Sequence, residues 1–185
     1  MLTSDHSRTA ALVGHRLVLE SSHNTEVLSR DSSGIEVMTD FERERPKLVS
    51  ADRHVDDALQ DMIIAGVRAL LVVDTDSVLG LITAADILGP RPIQFLQNPL
   101  CEGRPCRHRD VHVADIMTSW TDLQLLEFDR VASGTVDDLA DVFSATDATH
   151  LLVIKRSDTG NSIVQGLLSR TRLERLLGAI IPTLT

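Results

Sequence analysis

Val55-Asp56-Asp57-Ala58-Leu59-Gln60-Asp61-Met62 returns 81 residues later as Val136-Asp137-Asp138-Leu139-Ala140-Asp141-Val142-Phe143. At the same offset Ala69-Leu70-Leu71-Val72-Val73 matches His150-Leu151-Leu152-Val153-Ile154. Upstream, Met38-Thr39 recurs as Met117-Thr118 at an offset of 79, and downstream Gly80-Leu81-Ile82-Thr83 recurs as Gly166-Leu167-Leu168-Ser169 at an offset of 86. Four blocks in one order, with an offset that drifts only where loops belong, define an internal repeat.

Each block carries its own local structure. Val55, Ala58, Leu59, Met62 and Ile63 fall at i, i+3, i+4, i+7 and i+8, which predicts one apolar helix face. Gly66 then predicts a left-handed C-cap. Val136, Leu139, Ala140 and Phe143 repeat the face behind Thr135, an N-cap residue with Asp138 three positions on. Asp56-Asp57 and Asp137-Asp138 lie in the first turns, where the helix macrodipole accounts for them without any chemistry. Ala69–Val73 and Leu151–Ile154 are short continuous apolar runs and read as buried strands. Turns at 74–77 and 157–162 bring the chain back as strands Val78–Ile82 and Ile163–Leu168. Each returning strand runs straight into a helix, Thr83–Leu88 and Ser169–Leu177.

The unit is therefore β-α-β-β-α, occurring twice, and the class is α+β. One such unit leaves its sheet half covered, so the two are expected to pack sheet to sheet about a pseudo-twofold axis. Along the chain this gives a lead-in segment 1–34, with a short strand or helix near Ala10–Glu20. A repeat 35–88, a Pro- and Gly-rich linker 89–112, a repeat 113–178 and a tail 179–185 follow.

Composition narrows the function. The 185 residues are 43% apolar and 24% charged, a globular balance. Aromatics are only 3%, so the core is aliphatic and stacking platforms for single-stranded nucleic acid are scarce. A net charge of −9 opposes a nucleic acid partner. Two cysteines are too few for a disulfide framework, so a reducing cytoplasm is expected. No apolar run is long enough to span a membrane, and the start of the chain lacks a signal-peptide pattern. No Gly-x-Ser-x-Gly, Gly-Lys-Ser/Thr or His-Glu-x-x-His motif is present, so the expectation is a protein that is not an enzyme. Cys101, Cys106, His108 and His112 are zinc-ligand types, but Cys-x₄-Cys-x-His-x₃-His is not an established zinc spacing. Arg104, Arg107 and Arg109 would also crowd a cation there. A surface loop without metal is expected.

The repeat resembles a known family. Glu36-Val37-Met38-Thr39 and Val113-Ala114-Asp115-Ile116-Met117-Thr118 open the two units. Gly80-Leu81-Ile82-Thr83-Ala84-Ala85-Asp86-Ile87 and Gly166-Leu167-Leu168-Ser169 close them. Over residues 35–178 this looks like a tandem cystathionine-β-synthase (CBS) domain pair of the stand-alone type.

The resemblance implies a regulatory, non-catalytic module that holds AMP, ADP, ATP or S-adenosylmethionine between its repeats. It implies that Thr83 and Asp86 hold ribose hydroxyls, at a helix start whose free N–H groups favour anions. The same two residues also form a capping box that would do no more than stabilise the helix. In the second copy Ser169 keeps the hydroxyl, but Arg172 stands where the aspartate should be, and a guanidinium accepts no hydrogen bond from a ribose. Arg170, Arg172 and Arg175 offer either a phosphate site or a solvated helix face. Arg68-Ala69 and Thr149-His150, at the strand starts, would reach phosphates, or serve only as strand-edge residues hydrogen-bonded to backbone, His150 above all. Met38-Thr39, Met117-Thr118 and Ile82 would line the base pocket, although methionine serves equally as core filler. Trp120 is expected to cover the linker side of the core. The family also implies a homodimer joined through helices. The rival expectation is a dimerisation or protein-interaction scaffold with vestigial pockets, acting on an unknown protein partner.

Overall fold

The structure, a computed structural model, describes residues 28–75, 77–97, 107–157 and 160–180. Most of the lead-in, Asp76, Cys101, Cys106, Asp158, Thr159 and the tail from 181 lie outside the described residues.

The elements follow the repeat. A 3-10 turn at Gly34–Val37 leads into β1 (Thr39–Asp40), then β2 (Leu48–Ser50), α1 (Val55–Ala65), β3 (Ala69–Asp74), β4 (Ser77–Thr83) and α2 (Ala84–Leu88). Helix α3 (Arg91–Leu96) lies within the segment read as linker, ahead of α4 (Val113–Ile116). The second copy runs β5 (Thr118–Ser119), β6 (Leu125–Glu127), α5 (Phe128–Ser133), α6 (Val136–Ser144), β7 (His150–Arg156), β8 (Ser162–Ser169) and α7 (Arg170–Ile180).

Local chemistry sets the ends of these elements. Gly66 closes α1 in the left-handed region at φ 66°. Thr135 caps α6: its Oγ1 accepts from the Asp138 N–H, while its own N–H and hydroxyl donate to the Asp138 carboxylate. Those donors hold the Asp138 carboxyl below the usual aspartate range, the backbone N–H of Thr135 first and its hydroxyl second. Thr83 and Asp86 build the same box at α2.

The two four-stranded sheets have the orders β2-β3-β4-β5 and β1-β8-β7-β6. Each holds one parallel pair, β2 with β3 and β6 with β7, around an antiparallel hairpin. The fourth strand of each sheet comes from the other half of the chain. β1 pairs with β8 and β5 pairs with β4, both antiparallel. The cores follow the same exchange. Val37 and Met38 are buried with Val136, Leu139, Phe143 and Leu168 of the second repeat. Val111, Val113 and Ile116 are buried with Val55, Met62, Leu70 and Ile82 of the first. The expectation that each Met-Thr opens the sheet of its own repeat is thus corrected: each joins its neighbour's sheet, and the strand opening each parallel pair is β2 or β6.

Gly80 and Gly166 make this exchange sterically possible. A Cβ at Gly80 would lie 2.2 Å from the Thr118 carbonyl oxygen, and one at Gly166 would lie 2.6 Å from the Thr39 carbonyl oxygen. Both neighbours are backbone atoms of an exchanged strand, so no rotamer change relieves the clash. Between the sheets, Leu71, Leu81 and Leu152 form a third buried cluster flanked by Phe41, Leu123, Val164 and Leu167. The halves are therefore held by an aliphatic sheet-to-sheet contact and by two crossed strands. No helix among the described residues is long and apolar enough to cross a membrane.

Candidate functional site

Two clefts open between the repeats, one for each repeat's final strand-to-helix turn, and Leu81 and His150 line both. The first cleft, about 620 Å³, takes Thr83 and Asp86 from the start of α2, Arg91 and Gln94 from α3, and Thr118 from the exchanged β5. Asp122, Gln124, Asp147 and Thr149 complete its polar wall. The second, about 530 Å³, takes Ser169, Arg172 and Arg175 from the end of β8 and the first half of α7, Thr39 from the exchanged β1, and Arg68-Ala69 at the start of β3. Arg45 and Lys47, just before β2, also face it.

Asp86 is tightly held in the first cleft, with its side chain only 15% exposed. Its Oδ2 accepts from the Thr83 N–H at 2.8 Å and from the Thr83 hydroxyl at 2.7 Å. Its Oδ1 lies 3.2 Å from Arg91 Nη1. That same Nη1 donates to the Ile116 carbonyl at 2.7 Å and to Thr118 Oγ1 at 3.0 Å. Arg91 therefore ties the capping carboxylate of the first repeat to the strand exchanged from the second. Oδ1 retains a lone pair for a further donor, and the contacts of Arg91 among the described residues use only Nη1, one part of a five-donor fork.

His150 stands at the start of β7, between the clefts. Burial pushes its pKa below the ordinary histidine value, and the Asp86 carboxylate partly offsets that. Its Nδ1 lies 3.0 Å from the Thr149 hydroxyl.

The expected site residues divide three ways. Thr83, Asp86, Thr118 and His150 come together in the first cleft. Thr39, Arg68, Ala69 and Ser169 come together in the second, again with His150. Arg68 therefore does not share a cleft with Asp86, although both lie in the first repeat. The side chains of Ile82 and Met38 are buried in the first and second cores, and Met117 packs against the first core, so none of the three lines either cleft. The alternation along β4 directs Ile82 inward where its neighbours Leu81 and Thr83 face the cleft.

Other candidates are also placed. Arg170 is structural: its guanidinium donates to the carbonyls of Phe143, Ala148 and Thr146 and lies over the Phe143 ring. Trp120 is 54% exposed and covers no core. Cys101 and Cys106 lie outside the described residues. His112 stacks on His54 with ring centroids 4.5 Å apart, and His108 Nδ1 lies 3.4 Å from an Asp56 carboxylate oxygen. Among the described residues no group of three or more His, Cys, Asp or Glu is placed to hold a metal ion.

Sequence reasoning missed Arg91, Gln94, Asp122, Arg45 and Lys47. For the last two a signal existed in the basic run Arg43-Glu44-Arg45-Pro46-Lys47 just before Leu48-Val49. For Arg91 there was none, because its partners are brought to it by the strand exchange.

Paired repeats with exchanged strands and one cleft per strand-to-helix turn define the class of architecture. Residues 35–89 match the family model described as CBS domain. Among solved structures, CBSX2 in complex with AMP is similar over 80% of this chain and 98% of its own, with a TM-score of 0.54 and 23% identity. The CBSX2 protein is from Arabidopsis thaliana. A signal-transduction protein with CBS domains from Burkholderia ambifaria is similar over 77% of this chain and 90% of its own, with a TM-score of 0.53 and 24% identity. A conserved protein from Pyrococcus horikoshii is similar over 85% and 98%, with a TM-score of 0.53 and 19% identity. No curated protein matches the sequence. The match to the CBS domain model thus lies within the first repeat, and the chain as a whole has the fold of these CBS-domain structures.

Proposed function

We propose that this protein is a non-catalytic regulatory CBS pair of the cytoplasm, and that it binds an adenine nucleotide or adenosyl ligand in the first cleft. The observation that carries the reading is the Asp86 carboxylate. It is held by the Thr83 capping box, aimed into a 620 Å³ cleft between the repeats, and retains acceptor capacity on Oδ1. Two vicinal ribose hydroxyls would be met by Asp86 and the Thr83 hydroxyl, and the unused donors of Arg91 would face a phosphate or carboxylate. Support comes from CBSX2, a structure of the same fold solved with AMP.

A ligand in this cleft touches both repeats, so it stiffens their contact and biases the relative arrangement of the halves. The signal would leave through a homodimer. Ile63 and Ile64 of α1 and Leu88 of α2 on the first repeat, with Ile93 of α3 just beyond it, expose apolar side chains, Ile64 to 83%. Those helices are the proposed dimer face.

A thermal-shift series with AMP, ADP, ATP and S-adenosylmethionine tests the reading. A ligand at 100 times its dissociation constant should stabilise the protein by about 2.7 kcal/mol. Asp86→Ala should cut that shift to about 1.4 kcal/mol or less, the value at ten times the dissociation constant. A shift that survives Asp86→Ala at full size places the ligand elsewhere. No shift with any adenosyl ligand favours the scaffold reading, in which the Thr83–Asp86–Arg91 contacts serve only to join the repeats.

A further inference from the structure

We propose that the second cleft binds an oligophosphate through its phosphate groups alone, as free pyrophosphate or a short polyphosphate, without reading a sugar or a base. The wall brings Arg45, Lys47 and Arg68 of the first repeat against Arg172 and Arg175 of the second, with Glu44 as its single carboxylate. None of these five cations is ion-paired with a carboxylate among the described residues. Elsewhere Arg30, Arg53, Arg91 and Arg156 each sit against an acid.

Five like charges lining one cleft repel each other and focus a positive field into it, a condition that an entering anion relieves. The position that holds Asp86 in the first cleft holds Arg172 here, so the acceptor a ribose diol needs is replaced by a donor. Arg172 Nη1 already reaches across to Thr39 Oγ1 at 3.1 Å, which fixes its guanidinium at the seam between the repeats. Guanidinium forks match phosphate oxygens in pairs, and Lys47 adds a point charge. Cations arriving from both repeats call for a ligand with at least two phosphate groups, since a single one would leave most of them unmatched. The cleft volume of about 530 Å³ accommodates such a chain.

Isothermal titration of the whole protein with inorganic phosphate, pyrophosphate and tripolyphosphate, without divalent metal, tests this. Affinity should rise at least tenfold from phosphate to tripolyphosphate. It should fall when ionic strength is raised from about 10 mM to about 100 mM, which shortens the screening length from about 30 Å to about 10 Å. Asp86→Ala should not weaken it. Arg172→Gln with Arg175→Gln should weaken it at least tenfold. Because Arg172 also holds Thr39, a second variant, Arg68→Gln with Arg175→Gln, should show a comparable loss with an unchanged melting temperature. The proposal is overturned if neither oligophosphate binds, if Asp86→Ala weakens binding as much as the arginine changes do, or if both arginine variants bind normally. ATP titrated into Asp86→Ala separates the two sources of such phosphates. Affinity within threefold of tripolyphosphate supports recognition of phosphates alone, and ATP binding more than tenfold tighter shows that the nucleoside is read and overturns it.

Discussion

The two clefts hold the same place in the two halves of one frame, yet their charges are opposite. Around the first stand Asp86, Asp122 and Asp147 with Arg91; around the second stand five cations and Glu44. The frame is common to both: a glycine in the returning strand, an exchanged Met-Thr strand against it, and a hydroxyl at the helix start. Chemistry diverges at the third residue of the final helix. In the first repeat that residue is Asp86, which both caps α2 and faces the cleft. In the second it is Arg172, and Arg170 two residues before it instead binds the carbonyls of Phe143 in the last turn of α6 and Ala148 beyond it. A repeat thus conserves the position of a site by backbone geometry while leaving its ligand chemistry to one or two side chains.

Breaking the frame itself should have the largest effect. Gly80→Val drives a side chain into the Thr118 carbonyl and should expel β5 from its sheet, at a cost of about 3 kcal/mol or more in urea denaturation. Gly166→Val should cost somewhat less, because the contact is longer and the other close neighbour is the flexible Met38 side chain. Equal costs well under 1 kcal/mol would show that the strand exchange contributes little to stability.

Changing one helix residue should come next. Asp86→Ala removes a charged acceptor from the first cleft and should weaken adenosyl binding by about ten- to a hundredfold, matching about 1.5–3 kcal/mol for hydrogen bonds to a charged group. The capping box is lost at the same time, for about 1 kcal/mol of stability. The converse variant sharpens the comparison. Arg172→Asp supplies the missing acceptor in the second cleft and should raise adenosyl stoichiometry in equilibrium dialysis from one site to two. An unchanged stoichiometry would mean that the acidic residue alone does not define the site.

These contrasts also mark what could be read in the sequence. The repeat, both α+β units, the Gly66 and Thr135 caps and the sheet-to-sheet packing were legible, because periodicity and capping are local and an ordered repeat is hard to mistake. The Asp86–Arg172 difference was legible for the same reason. The strand exchange was not. Met38 and Met117 look alike in sequence whether they pack at home or across the seam, and β1 and β5 are two residues long. The exchange brings Arg91 to Thr118 across 27 residues, and Arg68 and Asp86, close in one repeat, face different clefts. Sequence order grouped residues that space separates.

The smallest effect should come from His150, which belongs to both clefts. Burial lowers its folded-state pKa below the ordinary value of 6.5, so the proton prefers the unfolded chain. Its contribution to stability is therefore full above about pH 6.5 and is lost as pH falls from there through the folded pKa. The difference between wild type and His150→Gln, followed by urea denaturation from neutral to acid pH, isolates this one group from the other titrating side chains. The wild type should lose the greater stability on acidification. The Asp86 carboxylate opposes the effect of burial, so in Asp86→Ala the His150 pKa should fall further and the loss should extend to lower pH. If the two backgrounds give the same His150 difference curve, Asp86 and His150 do not interact across the first cleft. If Asp86→Ala extends the loss, a charge placed in the acidic cleft is felt by a residue that also lines the basic one, and the two clefts are electrostatically linked through that imidazole.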